Sequence, residues 1–372
     1  MTLPGSATTE GTAAYQQRFA AILPSTHFRA AGNLTLSSIG LGTYLGEADE
    51  ATDAQYAAAI ARALECGCNV LDTAINYRHQ RSERVIGRVL AALAQSGRVK
   101  RTEVCVATKG GYLAFDGAVP ADPRAYVQET FLKTGLASAE DIVEWNCIAP
   151  RYIADQVERS LTNLGLKCID IYYLHNPEAQ LQKWSRREFA RRMEAAFTVL
   201  EEKVAAGKIT WYGTATWNGY RQPNTARDHL SLADLINLAR QVGGQNHHFK
   251  FVQLPYNLAM PEALTKQNQT VGRQTVSLLE AAHDFGVMVM ASASILQGKL
   301  AEGLPSFIGE ALTGLTTDAQ RALQFTRSTP GVTTALVGMK SIAHVEQNLA
   351  VAKVPPASME QFQKLFRERR AG

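Results

Sequence analysis

A parallel (β/α)8 TIM barrel, an α/β fold with long loops at its active end, is what this chain predicts, on three observations. Eight short apolar runs alternate with helical patterns of about a dozen residues from near position 38 to the end. Polar residues stand at or just past the ends of the second, third and fourth runs, on the rim where such barrels carry their chemistry. No linker divides the 372 residues, and barrels of this kind run past ~250 residues as one domain. A doubly wound open sheet is also built from alternating elements, but eight units and this length favour closure.

The runs lie at 38–43 (S-I-G-L-G-T), 69–72 (N-V-L-D), 103–109 (E-V-C-V-A-T-K), 169–174 (I-D-I-Y-Y-L), 209–214 (I-T-W-Y-G-T), 251–254 (F-V-Q-L), 287–291 (V-M-V-M-A) and 334–338 (T-A-L-V-G). Short stretches rich in Val, Ile and Tyr read as buried parallel strands. Between them, apolar residues recur at helical spacing, as in Tyr56, Ile60, Ala63 and Leu64 or Val157, Leu161 and Leu164. Gly67, Gly165, Gly207 and Gly286, each shortly before a strand, read as helix C-caps. Residues 1–24 read as a polar, partly ordered extension, leaving 25–372 as a single barrel domain. The loop after strand three, residues 110–147, exceeds the ~15 residues beyond which loops are usually functional or disordered. Its aromatics Tyr112, Phe115, Tyr126, Phe131 and Trp145 predict a packed lid, and Trp145 and Asn146, next to the helix expected from Pro150, are the preferred pocket contacts.

Hydrophobic residues make up 46% of the chain and charged residues 19%, ample for a core, and no apolar run approaches the ~20 residues of a membrane span. The first residues, M-T-L-P-G-S-A-T-T-E-G, lack the basic start and apolar stretch of a signal peptide. Five cysteines, odd in number and without a C-x-x-C, favour a reducing cytoplasm over a disulfide frame or zinc site, so no metal is expected. Cys66 and Cys68 read as small buried apolar residues. A net charge of +4, mild and unclustered, argues against a nucleic-acid partner, and the basic stretch 186–192 reads as a solvated helix face. No pattern in the chain specifies an oligomeric state.

Asp72, Tyr77 five positions later, Lys109 and His175 are the polar residues at the strand ends. Singly, each has a structural reading: a helix N-cap, a half-buried loop aromatic, a surface charge, a packed histidine. Together they can converge, and their chemistry is complementary. A phenol with an ordinary pKa near ~10 is a poor acid at neutral pH, and an adjacent ammonium lowers that value. Lys109 is expected to supply the ammonium, Asp72 to hold it charged and oriented, and His175 to hydrogen-bond a substrate carbonyl.

In D-T-A-I-N-Y, the strand-end lysine and L-H-N-P the chain resembles the aldo-keto reductases, along almost its full length. L-G-T-Y-L-G at strand one, R-S-E-R-V-I-G at 81–87, V-Q-L-P-Y-N-L around Gln253 and G-M-K-S-I-A-H-V-E-Q-N-L near the end extend the match. The resemblance implies a barrel whose N-terminal mouth is closed by a hairpin, for which residues 27–36 are the candidate. It implies reversible hydride transfer between NADP(H) and a small-molecule carbonyl, an aldehyde or ketone, with Tyr77 as general acid. NAD is less expected. Cofactor contacts would then be Gly42 and Thr43 at strand one, Thr216 after strand five, Gln253, Ser292 after strand seven, and Gly338, Lys340, His344, Gln347 and Asn348 at the last strand and helix. Lys340, just before a helix N-terminus, suits a phosphate.

Departures from the family pattern lie around the nicotinamide. The usual Ser-Asn pair is Ala215 and Thr216, with Thr216 and Gln253 left to hold the carboxamide, and the usual aromatic after strand seven is Ser292. Where many members carry arginine for the 2′-phosphate, this chain has His344. Extra residues follow the tyrosine, and Arg78 or His79 could face an anionic substrate, an exposed loop being the plainer reading. Tyr44 and Trp217 complete the expected substrate contacts. Tyr220, Arg221 and Arg227 in the strand-five loop suit a bulky or acidic carbonyl compound as well as they suit a structural role. Two other functions stay open: a cofactor-binding regulatory or redox-sensing barrel, raised by Ala215 and Ser292, and a non-reductive lyase or isomerase using Tyr77 and His175. The intact tetrad argues against the first.

Overall fold

The computed structural model describes residues 2–367. Met1 of the expected extension and 368–372 of the expected barrel domain lie outside the described residues.

Eight parallel strands close into a barrel: Ile39–Gly42, Val70–Asp72, Cys105–Gly110, Ile169–His175, Ile209–Ala215, Phe249–Pro255, Met288–Ser292 and Val332–Gly338, the last pairing with the first. Each overlaps one of the eight runs read from the sequence. The register aligns their C-terminal ends: Gly42 pairs with Asp72, Lys109 with Tyr173, His175 with Ala215, Ala215 with Gln253, and Gly338 with Gly42. Polar residues at these positions therefore share one rim. Inside, Val70, Ala107, Ile171, Tyr173, Phe251, Met290 and Leu336 fill the barrel as a packed plug. A larger apolar layer joins the strands to the surrounding helices.

The hairpin forms at Phe28–Ala31 and Leu34–Ser37, turning at Gly32, whose φ of +60° is one that glycine adopts without strain. Residues 2–24 correct the expectation of a partly ordered extension. Thr8 caps a helix at Thr9–Arg18, and Tyr15 is fully buried, its hydroxyl donating to Leu64 O at 2.5 Å. Tyr15 and Phe19 pack at 5.0 Å between ring centroids, one helical turn apart, and Leu3 and Leu23 join the same core. The segment seals the end of the barrel opposite the catalytic rim.

The long loop is ordered by a short helix at Pro123–Val127, a wider turn at Gln128–Leu132 and a 3-10 turn at Ala139–Asp141. Its aromatics form a chain of edge contacts, Trp145 to Phe115 at 6.1 Å, Phe115 to Tyr126 at 5.4 Å and Tyr126 to Phe131 at 6.1 Å. The helix after it runs Pro150–Leu164, with proline in its first turn and Gly165 as left-handed cap. A second hairpin, Gln269–Val271 with Gln274–Val276, lies in the connection to strand seven. Among the described residues no helix is long and apolar enough to cross a membrane.

Candidate active site

Lys109 ends the third barrel strand 1% exposed, an expensive place for a cation unless it is paired and hydrogen-bonded. Its Nζ donates to Asp72 Oδ2 and to Thr73 O, both at 2.7 Å. Asp72 Oδ1 in turn accepts from Gln253 Nε2 at 2.7 Å, so both carboxylate oxygens are engaged. The ammonium sits 4.8 Å from the centre of the Tyr77 ring. The His175 ring stands 5.8 Å from that ring, edge-on. The four residues converge as the strand ends suggested.

The protonation pattern differs from the sequence expectation at the tyrosine. Burial, with added repulsion from Asp72, holds the Tyr77 phenol well above its ordinary pKa. The Lys109 charge, already engaged by Asp72, does not pull it down. Burial lowers the Lys109 ammonium against the opposing pull of Asp72. Burial and then Lys109 push His175 well below the ordinary histidine value, so its imidazole is neutral. Its Nδ1 is buried without a partner, which leaves Nε2 as the nitrogen able to reach a ligand.

Tyr77 is delivered by an unusual turn. Arg78, His79 and Gln80 have φ of 49°, 55° and 72°, three successive left-handed residues that each cost of order 1–3 kcal/mol. Arg78 offsets this from within the fold: it donates to Glu47 O at 2.7 Å and pairs with Asp53 at 2.6 Å, stacked 5.4 Å from the Tyr56 ring. Arg78 is therefore a buried clamp, and His79 packs on Phe115 at 5.8 Å. Neither lines the cavity.

That cavity, of about 740 Å3, runs from Tyr77 and His175 to the start of the last barrel helix. Gly42, Thr43, Tyr44, Thr216, Trp217, Gln253, Ser292, Gly338, Lys340, His344, Gln347 and Asn348 all line it. Gln253 commits one N–H of its side-chain amide to Asp72. Trp145 and Asn146 do not line the cavity. Trp145 is 48% exposed and covers Phe115. Asn146 is a buried strut, its Nδ2 donating to His175 O at 2.7 Å while its Oδ1 accepts from Gln180 Nε2 at 3.1 Å.

Arg221 and Arg227 are also withdrawn. Arg221 pairs with Glu262 at 2.9 Å, and Arg227 donates to Leu181 O and Gln182 O. Sequence reasoning missed Asn176 and Glu178, which follow His175, and took Tyr112 for lid packing. Tyr112 and Asn176 line the cavity. Glu178 is buried beneath it, and its Oε1 accepts the backbone N–H groups of Trp217, Asn218 and Gly219 at 2.8, 3.1 and 3.2 Å. The run H-N-P-E was the available signal, an acidic residue one turn past the rim where loop N–H groups need acceptors.

Among the described residues four that line the cavity carry buried polar atoms without partners, Asn76 Oδ1, His175 Nδ1 and Thr216 Oγ1 near the tetrad and Asn348 Oδ1 at the far end. Buried polar groups are ordinarily satisfied. An elongated ligand with polar groups at both ends, as a nicotinamide dinucleotide has, fits this pattern.

A closed barrel with an Asp-Tyr-Lys-His cluster on its C-terminal rim defines a class of carbonyl-handling barrel proteins. The chain matches the Aldo/keto reductase family over residues 38–304. It belongs to that family and is an enzyme of the oxidoreductase class. It is 29% identical over 191 residues to Aldo-keto reductase yakc [NADP(+)] of Schizosaccharomyces pombe, covering 50% of this chain and 44% of that protein. It is 30% identical over 205 residues to the NADH-specific methylglyoxal reductase of Escherichia coli, covering 53% of this chain and 51% of that protein. These matches span about half of each relative. The crystal structure of an aldo/keto reductase from Klebsiella pneumoniae in complex with NADP and acetate is similar, with a TM-score of 0.61 at 22% identity over 93% of this chain and 95% of that one.

Proposed function

We propose that this protein reduces a neutral aldehyde or ketone to the alcohol with NADP(H), Tyr77 acting as general acid. The observation that carries this is the Lys109–Asp72 pair lying against Tyr77 with His175 beside it, at one end of a cavity of about 740 Å3 that reaches the last barrel helix. Bound NADPH would supply the hydride. His175 Nε2 hydrogen-bonds the carbonyl oxygen and polarises it. Tyr77, protonated because its pKa is raised, gives its proton to that oxygen as negative charge develops. Lys109 stabilises the phenolate that is left, and Asp72 keeps the lysine in place.

Thr216 Oγ1 and Asn348 Oδ1 are the groups that would meet the two ends of the cofactor. Lys340 and His344, exposed beside the Ser341-capped helix, suit a 2′-phosphate, and the NADP named for the fission-yeast relative supports that preference. The NADH named for the bacterial relative makes the comparison of both cofactors part of the test. A neutral substrate is favoured because the loop arginines are tied up and the rim is apolar, with Tyr44, Leu45 and Trp217 partly exposed around it. Five unpaired cysteines favour a reducing compartment, the cytoplasm.

Steady-state NADPH oxidation over a panel of neutral and anionic carbonyls tests this reading. Turnover of neutral members that Tyr77→Phe abolishes is expected. Tight NADPH binding with no oxidation across the panel would point to a cofactor-sensing barrel instead, and conversion of a carbonyl with no change in cofactor to a lyase or isomerase.

A further inference from the structure

The turn that follows Tyr77 holds a backbone that its own residues do not favour. Arg78, His79 and Gln80 are all left-handed, and none is glycine. Such a conformation persists only where the surroundings over-determine it, and it collects at functional sites. Here the surroundings meet the Arg78 side chain, which lies outside the cavity lining, against the first barrel helix, Glu50–Glu65, and the loop before it. Its Nε donates to Glu47 O at 2.7 Å, and its Nη2 to Asp49 O at 3.1 Å and to Asp53 Oδ1 at 2.6 Å.

Asp53 anchors this arrangement. Its carboxylate also pairs with Arg81 at 2.8 Å and with Arg88 at 3.3 Å, but the three arginines are not equivalent. The Arg78 side chain is 1% exposed and that of Arg88 63%. An exposed pair contributes little, whereas removing the partner of a buried cation leaves its charge uncompensated. Arg78 is therefore the arginine that depends on Asp53.

A second route leads from the same helix to the phenol. Arg78 grips carbonyls of the loop 44–49, which starts at Tyr44, and the Tyr44 ring packs on the Tyr77 ring at 5.0 Å. Tyr56, three residues past Asp53, has its ring 5.4 Å from the Arg78 guanidinium, and its hydroxyl donates to Leu45 O at 2.7 Å. Tyr77 is thus held through its backbone by the turn and at its ring by Tyr44, and Asp53 stands behind both.

We propose that Asp53 is a positioning residue for the acid step: acting through Arg78, it fixes the Tyr77 phenol against Lys109 and His175 from outside the cavity. This rests on the reading of Tyr77 as the acid of a reductase. In that step the Tyr77 O–H bond breaks and its proton joins the carbonyl oxygen, while the carbonyl carbon takes the hydride that NADPH supplies and the phenolate stays beside Lys109. Proton transfer needs a hydrogen-bond reach of about 2.6–3.2 Å, and a misplacement of ~1 Å costs up to about 10²-fold. Without Asp53 the grip of Arg78 weakens, the turn relaxes, and the ring leaves its place 4.8 Å from the Lys109 ammonium.

The test compares Asp53→Asn, Arg78→Ala, the double variant and Arg88→Gln with the parent by steady-state NADPH oxidation, NADPH titration, thermal melting and crystallography. Asp53→Asn is expected to lower kcat about 10–100-fold and to leave the NADPH dissociation constant within about two-fold. The double variant should fall no further than Arg78→Ala alone, because the two residues act in series, and Arg88→Gln should match the parent. The solvent deuterium isotope effect on kcat should rise in Asp53→Asn, since proton transfer is the step slowed; a loss of stability alone leaves it unchanged. In the crystal structure of that variant the Tyr77 ring should shift from Lys109 by about 1 Å or more. Arg78→Lys, which keeps the charge and loses the fork, should lie between the parent and Arg78→Ala, and it carries the test if Asp53→Asn does not fold. Additive losses, an unchanged isotope effect, or a Tyr77 ring that stays in place overturns the proposal. A displaced ring in a protein that reduces no carbonyl leaves the positioning role standing and refutes the reductase reading, whereas carbonyl reduction at equal rates by parent and variants does the reverse.

Discussion

In the proposed mechanism Tyr77 and Lys109 divide the work of an acid between two residues. The phenol must hold its proton until the carbonyl needs it, and burial beside Asp72 ensures that by raising its pKa. The phenolate must then be tolerated, and the ammonium 4.8 Å from the ring provides the charge. Tyr77→Phe should therefore lower kcat for reduction by about 10²–10⁴-fold and leave the NADPH dissociation constant within a few-fold. Fluorescence titration and steady-state rates check both halves. The pH profile follows from the same groups. Lys109 is charged below its folded pKa and neutral above it, and that pKa lies below the ordinary lysine value of about 10.4. Tyr77 titrates higher still and is not limiting. Reduction should thus fall on the alkaline side, through a limb centred below about 10.4. His175 is held neutral well below the usual range, so kcat/KM should show no inflection near about 6.5. An acid limb there would contradict the neutral imidazole.

Loops become part of the site here through buried side chains that reach back from neighbouring elements. Glu178, in the turn Pro177–Gln182 after strand four, gathers three N–H groups of the strand-five loop on one oxygen. That loop carries Thr216 and Trp217 into the cavity. Glu178→Ala would leave those donors without an acceptor, at about 1–3 kcal/mol for each that stays buried. The expected result is a KM for the carbonyl raised several-fold with a smaller change in kcat, while Glu178→Gln, which keeps an acceptor oxygen, stays near the parent. Equal kinetics for Glu178→Ala and the parent would show that the loop holds itself. Asn146 acts on strand four in the same manner, gripping His175 O from the far end of the long loop.

The barrel separates its two ends by role, with chemistry at the C-terminal rim and sealing at the other. The N-terminal segment does the sealing: Ala7 N donates to Asp170 Oδ1 at 2.6 Å, Leu3 pairs with Leu166, and Tyr15 is buried on the core. Tyr15→Ala removes a fully buried aromatic and its hydrogen bond to Leu64, a loss of about 3–5 kcal/mol. Melting temperature should drop clearly while kcat/KM, measured well below the melting range, is unchanged. A kinetic defect at such temperatures would mean that the two ends are coupled.

The eight strands and the convergence of Asp72, Lys109 and His175 were readable from residue order alone, whereas the hairpin was expected only from the family resemblance. Strand periodicity fixes which positions reach the rim, and parallel register then brings those rims together. Residues beyond the strands were another matter. Tyr112 and Trp145 are aromatics of one loop with no difference in pattern, yet one lines the cavity and the other covers Phe115, because the backbone at Gly111 and Trp145 turns them apart. Residues 1–24 look polar because Leu3, Tyr15, Phe19 and Leu23 are few, and they amount to a hydrophobic face only against the barrel they close. The shift at Tyr77 reversed sign for a related reason. Sequence places an ammonium near the phenol, but a charge acts through its partners and its solvent, and only the packed fold put Asp72 on Lys109 and partly buried Tyr77.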